Sequence, residues 1–380
     1  MARKVVSRSE PVKRVLTLRM LQWGVLAGVL ASLALIVAQG TQEPLVLPSP
    51  EDQAAIREKD SPYSLASLHE RLPPEAIQKI QRYLDFFSKV QHRRISDGLA
   101  RSTRYLERYQ ETFRNKGVPE ELAYLPLIES GFVTNAVSPA QAAGVWQFIE
   151  ETGRRYNLKR TAYTDQRLDP FQSVGAAASL LKNLHGVFND WELALAAYNA
   201  GANTVRWAKR VNTKAGKPLH FWALDLPDET TEYVPAFIAA MIIAKNPQAF
   251  GFKRIKFEPR ITYDQIKVSP GMPLHDVAVH LEVDLEDVWD LNPNLIMGET
   301  PPGETPHLLR VPTGTRQVVH QKLARNTSGL KDWMLHRVHD SDSVEYLAYR
   351  FRSSPNKIMQ VNDLNSDEEL NLREFIIIPL

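Results

Sequence analysis

One carboxylic acid, Glu129, lies among apolar side chains at helical spacing. It follows Leu122 by seven residues and Leu125 by four, so the three side chains share one face of a helix. This helix is predicted to begin at Pro119, since proline is favoured at the first helical position, and to end just before Gly131. Glu129 therefore occupies a place that an apolar residue would normally fill.

The position of Glu129 predicts a carboxyl group that resists ionisation. A carboxylate in the last turn of a helix faces the negative end of the helix dipole, and its neighbours Ile128 and Phe132 remove water from it. Both effects raise the pKa of the carboxyl group, as a general acid at near-neutral pH requires. A solvated surface glutamate that happens to fall at this spacing is the alternative.

The residues that follow favour a polar cleft suited to sugars. Ser138 precedes a run of small residues that allows close backbone approach, and Trp146 with Gln147 would pair a stacking surface with an amide. Tyr198 and Asn199 end an alanine-rich helix, where polar groups can face a cleft. On its own, Tyr198 is more typical of a core aromatic with a satisfied hydroxyl group.

Composition excludes several classes of protein. The 46 basic and 44 acidic residues give a net charge of +2, which argues against a nucleic-acid binder. Because cysteine is absent, the sequence excludes disulfides, thiol catalysis, zinc ribbons and a cysteine-linked lipid anchor. The ten histidines show no metal-ligand spacing, so neither a metal site nor a cofactor is predicted.

Composition also divides the chain into segments. They are, in order, a basic arm at 1–19, an apolar segment at 20–38, a linker at 39–71, a mainly helical domain at 72–250, a first repeat at 264–312, a linker at 313–334 and a second repeat at 335–380. The apolar segment would span about 28 Å as a helix, close to the thickness of a bilayer core. It is either a membrane anchor or a signal peptide cleaved near residue 38, and both place the rest of the chain outside the cytoplasm.

The two repeats align at an offset of 70 residues. Leu274 then falls on Val344, Asn292 falls on Asn362, and each copy ends in a short apolar run closed by proline. Each copy is interpreted as a strand at 266–268 or 335–338, two short helices and a final strand. Chance similarity between two amphipathic helix pairs is the alternative. The predicted fold class is therefore α+β and multidomain.

The two repeats resemble LysM domains, which are small βααβ modules. The resemblance implies binding of N-acetylglucosamine-containing glycans through two turns, one before the first helix and one between the second helix and the last strand. Residues 270–274 of the first copy depart from the usual form of the first turn, so that copy is a divergent module.

Residues 72–250 resemble the lysozyme-like lytic transglycosylase (SLT) domain, and within that family the membrane-bound murein transglycosylase D type. The motifs that carry this resemblance are Glu129-Ser130-Gly131-Phe132, Ala136-Val137-Ser138, Ala142-Ala143-Gly144-Val145-Trp146-Gln147 and Ala197-Tyr198-Asn199-Ala200-Gly201. Residues 165–170, 221–222, 226–230 and 233–235 also look like that subgroup. Gln141 departs from the family pattern, in which glycine is usual.

The resemblance implies a chemistry and a set of site residues. Glu129 would be the catalytic acid and base, and Ser138, Gln147, Tyr198 and Asn199 would line the cleft. The implied reaction cleaves the MurNAc-β-1,4-GlcNAc bond of peptidoglycan and leaves 1,6-anhydro ends. No second acid accompanies Glu129 in the cleft motifs, which favours a one-carboxylate route over the two carboxylates of ordinary glycosidases.

Two other functions remain open at this point. One is a hydrolytic muramidase on the same fold, and the other is a peptidoglycan-binding protein without catalysis. The expected partners are glycan strands and, through residues 20–38, the membrane. The expected location is the periplasmic face of the inner membrane, or the periplasm if the apolar segment is cleaved.

Overall fold

The computed structural model describes Tyr63, Leu68 and residues 70–317 and 332–380. The basic arm at 1–19, the apolar segment at 20–38 and most of the two predicted linkers lie outside these residues. Among the described residues, no helix combines the length and the apolar character needed to span a bilayer. Contacts divide the chain into a helical unit, which runs to Leu158 and resumes over Pro170–Arg260, and a C-terminal unit of Lys159–Asp169 with Ile261–Leu380.

The helical unit consists of α-helices joined by short turns. Its helices are α1 (Pro74–Asp85), α2 (His92–Ser102), α3 (Leu106–Lys116), α4 (Pro126–Glu129), α5 (Glu150–Arg155), α6 (Pro170–Phe188), α7 (Trp191–Ala200), α8 (Ala202–Lys214) and α9 (Asp228–Lys245), with a π-helical turn at Phe86–Val90 and 3-10 turns at Glu120–Tyr124, Phe221–Ala223 and Pro247–Phe250. Helix α9 is buried over most of its length, because its sequence is apolar on almost every side after the first turns. The many alanines of α6 and α7 let these two helices pack closely against each other, and α7 also packs against α9.

The end of the predicted linker 39–71 packs on the helical unit. Tyr63 is fully buried, and its ring meets that of Phe237 edge to face with the centroids 5.8 Å apart. Leu68 is also buried, and Arg71 forms an ion pair with the buried Glu192. The prediction of a linker is therefore wrong for these residues, because their aromatic and apolar side chains contribute to the core.

The helix predicted from Pro119 to Gly131 is interrupted. Residues Glu120–Tyr124 form a 3-10 turn, and α4 follows it as a separate short helix. Pro126 accounts for the break, since proline has no backbone N–H and its ring disfavours a continuous helix through the preceding residue. Glu129 is the last residue of α4, so its predicted position at a helix end is confirmed.

The C-terminal unit contains two βααβ modules that share one sheet. Module 1 consists of β1 (Tyr263–Val268), α10 (Leu274–Leu281), α11 (Leu285–Leu291) and β2 (His307–Pro312), and module 2 consists of β3 (Trp333–Arg337), α12 (Val344–Phe351), α13 (Pro355–Val361), α14 (Asp367–Leu370) and β4 (Phe375–Pro379). The strand order is β2-β1-β3-β4, with both hairpins antiparallel and β1 parallel to β3. Strand β3 begins at Trp333, inside the predicted linker 313–334, and β1 begins three residues before the predicted strand at 266–268. The α+β class is confirmed.

The sheet of module 2 is buried on both faces. Leu335 and Ile377 pack with the helices of module 1, whereas Met334, Ile376 and Ile378 pack with the helices of module 2. This arrangement explains why β4 is continuously apolar, while β2 alternates between buried and more accessible residues.

Candidate active site

Glu129 is presented by a tight turn at the end of α4. Gly131 and Phe132 both have a φ of 60°, which reverses the chain directly after the carboxylate. The Ser130 hydroxyl donates a hydrogen bond of 2.8 Å to the Val145 carbonyl oxygen, and Phe132 is buried. The backbone that carries Glu129 is therefore fixed by its own core contacts.

Two arginines of α2 hold the carbonyl groups of the same turn. Arg94 Nη2 donates to the Ile128 oxygen at 3.3 Å, and Arg101 Nε donates to the Gly131 oxygen at 2.7 Å. These bonds satisfy carbonyl groups that the short helix leaves without an intrahelical partner. They also place the positive charge of Arg94 close to Glu129.

The Glu129 carboxyl group is half-buried and is hydrogen-bonded to Tyr233 of α9. The Tyr233 hydroxyl donates a hydrogen bond to Glu129 Oε1. Burial raises the pKa of Glu129 to about 7, and the negative charge of Glu229 adds to this effect. The hydrogen bond from Tyr233 and the charge of Arg94 act in the opposite direction on the pKa. The carboxyl group can therefore hold a proton near neutral pH and release it within the same range.

Asn199 joins the end of α7 to the first turn of α9. Its side-chain amide donates to Glu229 Oε1 at 3.3 Å and accepts a bond of 2.8 Å from the Thr230 hydroxyl. Two polar residues of α9 thus fix the orientation of the Asn199 amide. The second carboxylate, Glu229, is exposed and does not come from the motifs that the sequence analysis assigned to the cleft.

Tyr198 lies close enough to Glu129 to feel its charge. Its hydroxyl donates a bond of 2.6 Å to the Trp146 carbonyl oxygen. Burial, followed by the charge of Glu129, raises the pKa of Tyr198 well above its usual range. The phenol therefore stays protonated.

The Trp146 side chain does not face a cleft. It is fully buried and packs against Tyr109 and Phe113, with ring centroids 5.2 Å and 5.4 Å away. The prediction that Trp146 stacks on a sugar is wrong, because the small residues before it turn the ring into the core. Its contribution to the site is the backbone carbonyl group that Tyr198 binds.

Ser138 and Gln147 stabilise the loop between α4 and α5. The Ser138 hydroxyl accepts a bond of 3.1 Å from the Ala142 N–H, and Gln147 Nε2 donates to the Gly144 oxygen at 2.8 Å. Direct contact of these two side chains with a sugar stays a prediction. Gln141, where the family usually has glycine, has a φ of 62°, so the usual glycine meets a conformational demand of this loop.

Sequence reasoning did not assign a role to Tyr233, Glu229, Thr230 or Arg94. Two signals were available: residues 226–230 and 233–235 were part of the resemblance, and Glu229 and Tyr233 are four residues apart on a helix that is otherwise largely apolar. Among the described residues, no cluster of three or more His, Asp or Glu side chains could hold a metal ion.

Comparison with protein families finds two matches. Residues 108–221 match the transglycosylase SLT domain, and residues 262–328 match the LysM-like domain of lytic transglycosylase MltD. The first match contains Glu129, Ser138, Gln147, Tyr198 and Asn199. The second contains module 1 and ends before module 2.

Two curated relatives are similar over most of the chain. The membrane-bound lytic murein transglycosylase D of Escherichia coli (strain K12) is 30% identical over 268 residues, which cover 67% of this chain and 59% of the relative. The protein of the same name from E. coli O6:H1 matches to the same extent. The chain thus matches about three fifths of the length of these relatives.

One solved structure is also similar in sequence. It is an inactive mutant of the lytic transglycosylase Slt from Pseudomonas aeruginosa, at 25% identity, with 40% of this chain and 25% of that chain covered. Its TM-score of 0.28 is too low to support a structural argument. The chain is therefore similar to the transglycosylase SLT domain over residues 108–221 and to the LysM-like domain of lytic transglycosylase MltD over residues 262–328.

Proposed function

We propose that this protein is a peptidoglycan lytic transglycosylase. It would cleave the MurNAc-β-1,4-GlcNAc bond and leave a 1,6-anhydro-MurNAc end. The observation that carries the proposal is Glu129 itself, a half-buried carboxyl group with a pKa of about 7 inside the SLT match. The names of the E. coli relatives support the same substrate.

Glu129 acts twice in the proposed reaction. It first gives its proton to the glycosidic oxygen, so that GlcNAc leaves with a hydroxyl group while the carbonyl of the muramyl N-acetyl group supports the electron-poor C1. The Glu129 carboxylate then takes the proton of the C6 hydroxyl as that oxygen forms a bond to C1. Atoms balance without water, and the enzyme returns to its protonated form.

The neighbours of Glu129 suit these two steps. After the first proton transfer, the hydrogen bond from Tyr233 stabilises the carboxylate. Before it, burial and the charge of Glu229 favour the neutral acid. A pKa near 7 is the compromise that lets one group serve as acid and base in turn.

A hydrolytic muramidase is the second candidate, and Glu229 is the observation that favours it. Hydrolysis with two carboxylates needs a second acid beside the scissile bond, and Glu229 is close enough to influence the charge of Glu129. Against this role, Glu229 accepts a hydrogen bond from the Asn199 amide and lies in the exposed first turn of α9. A binding protein without catalysis would not need the raised pKa of Glu129.

The remaining parts of the chain would bring the enzyme to its substrate. We propose that residues 20–38 anchor the protein at the periplasmic face of the inner membrane, as the word membrane-bound in the names of the relatives suggests. Module 2 repeats the βααβ order of module 1 and would act as a second LysM-like module that binds glycan. A weak glycan site on the same chain raises the effective concentration of the substrate at Glu129.

Digestion of purified sacculi tests this proposal. The wild-type protein is expected to release 1,6-anhydro muropeptides, and Glu129→Gln is expected to reduce their release by at least about a thousandfold. Glu111→Gln, which changes an exposed glutamate of α3, is the matched control and should act as the wild type does. Full activity of Glu129→Gln with an unchanged fold would refute the catalytic role of Glu129.

A further inference from the structure

The two turns of module 1 that correspond to the LysM glycan contacts are bonded to each other. The Met272 N–H donates to Thr300 Oγ1 at 2.8 Å, and that hydroxyl donates to the Ser269 oxygen at 3.0 Å. The Thr300 N–H donates to the Met272 oxygen at 2.9 Å, and the Gly271 N–H donates to the Pro301 oxygen at 3.2 Å. Ser269, Met272 and Thr300 are all buried. These polar groups of the two turns therefore form hydrogen bonds within the module.

The corresponding turns of module 2 are also joined by a hydrogen bond, and they carry exposed side chains. The Val344 N–H donates to Asp367 Oδ1 at 2.8 Å, which joins the turn before α12 to the segment after α13. Asp340, Ser341 and Leu372 are exposed on these two segments, and Leu372 is 82% exposed. These two segments of module 2 thus keep side chains exposed to solvent.

The loop between α11 and β2 of module 1 is paired with another part of the chain. Asp165 N–H donates to the Asn294 oxygen at 2.9 Å, and Ile296 N–H donates to the Tyr163 oxygen at 3.0 Å. Between them, Thr164 and Leu295 form an antiparallel bridge. Residues 163–165 lie inside the SLT match, yet they belong to the C-terminal unit.

A buried ion pair extends this attachment. Arg310 Nη2 on β2 donates to Asp169 Oδ2 at 2.8 Å, with side-chain exposures of 11% and 1%. The Asn292 side chain donates to the Arg310 carbonyl oxygen and accepts from the Arg310 N–H, and Asn362 of module 2 binds the backbone of Ile377 in the same way. Arg310 and Ile377 are therefore equivalent positions, and only module 1 carries a cation there.

We propose that module 1 is an internal docking module. Its ligand is the segment 163–169 of the same chain, which its α11–β2 loop pairs with and which Arg310 binds through Asp169. Its own glycan turns are closed, so glycan binding by the C-terminal unit belongs to module 2. The docking does not depend on the proposed enzymatic function, whereas the assignment of glycan binding to module 2 rests on it.

Hydrogen exchange with and without glycan tests the closed state of module 1. The full chain with Glu129→Gln would be mixed with glycan strands from which the stem peptides have been removed, so that the strands stay intact. Glycan is expected to leave exchange at residues 269–273 and 298–301 unchanged and to slow it at 338–343 or 365–374. Slower exchange at 269–273 and 298–301 would overturn the proposal. If exchange changes in neither module, glycan binding by module 2 fails while the closed state of module 1 is supported.

Hydrogen exchange of residues 159–169 tests the docking itself. Arg310→Ile, which copies the residue of module 2, leaves Asp169 without its cation and is expected to speed exchange of this segment by at least about tenfold. Arg316→Ile changes an exposed arginine after β2 and is the matched control. Asp169→Asn removes the same ion pair with little change in shape, so it keeps the test valid if Arg310→Ile does not fold. Unchanged exchange of 159–169 in a folded Arg310→Ile or Asp169→Asn protein would overturn the proposal.

Discussion

The Tyr233 hydroxyl donates a hydrogen bond to Glu129 across 104 residues of sequence. Because this bond stabilises the charged carboxylate, it lowers the pKa of Glu129. A general acid must be protonated, so the rate is expected to fall as the pH rises through about 7. In Tyr233→Phe the pKa of Glu129 rises, and the falling limb of the pH–rate profile is expected to move to higher pH by about one unit. A profile that does not move would show that the bond plays no part in tuning Glu129.

Glu229→Gln is expected to shift the falling limb of the pH–rate profile in the opposite direction. The negative charge of Glu229 raises the pKa of Glu129, so its removal favours ionisation and moves the falling limb to lower pH. Glutamine keeps an oxygen that can accept the hydrogen bond from the Asn199 amide. The plateau rate should therefore fall by less than about tenfold. A loss of about a thousandfold or more would identify Glu229 as a second catalytic carboxylate and would favour hydrolysis.

The raised pKa of Glu129 should also make the stability of the protein depend on pH. A carboxyl group whose pKa is higher in the folded state binds more protons folded than unfolded, so the stability it contributes falls as the pH rises. For Glu129 this loss develops between the ordinary value of 4.5 and about 7. Glu129→Gln does not ionise, so it should match the wild type near pH 4 and exceed it at pH 8 by about 1–3 kcal/mol. Urea unfolding at the two pH values measures the difference, and equal stabilities at pH 8 would contradict the raised pKa.

Gly98 of α2 leaves room for the turn that carries Glu129. A Cβ atom at this position would lie 3.2 Å from Leu127 Cδ2 and 3.5 Å from Gly131 Cα. Gly98→Ala is therefore expected to destabilise the protein by about 1 kcal/mol despite the better helix propensity of alanine, and to lower activity by displacing the turn.

Gly175 of α6 provides the matched control for this effect. A Cβ atom there meets nothing within 4 Å, so Gly175→Ala should stabilise the protein by about 0.5–1 kcal/mol and leave activity unchanged. Equal effects of the two substitutions in urea unfolding would show that the contact with Leu127 does not constrain the turn.

The sequence was sufficient for the position of Glu129 and for the two modules. The spacing from Leu122 and Leu125 placed the carboxylate at a helix end on the core side, and burial does raise its pKa. The offset of 70 residues identified two βααβ units, because each unit repeats its own local pattern of helices and strands. Such features follow from local periodicity, which is visible in the sequence itself.

Features that depend on distant contacts could not be predicted in the same way. Tyr233 reaches Glu129 only when α9 packs beside α4, and no local pattern reports that packing. Trp146 is of a residue type expected to stack on a sugar, but the turns around it direct its ring into the core. The apolar run of β4 did contain a signal, since a strand without alternation indicates burial on both faces.

Digestion of sacculi in water enriched in oxygen-18 tests the central claim most directly. If the C6 oxygen attacks C1 while Glu129 takes its proton, the new muramyl ends are anhydro sugars, one water lighter than reducing ends, and they carry no label. Labelled reducing ends formed by the wild-type protein and lost in Glu129→Gln would show that water is the nucleophile, and would contradict the one-carboxylate mechanism.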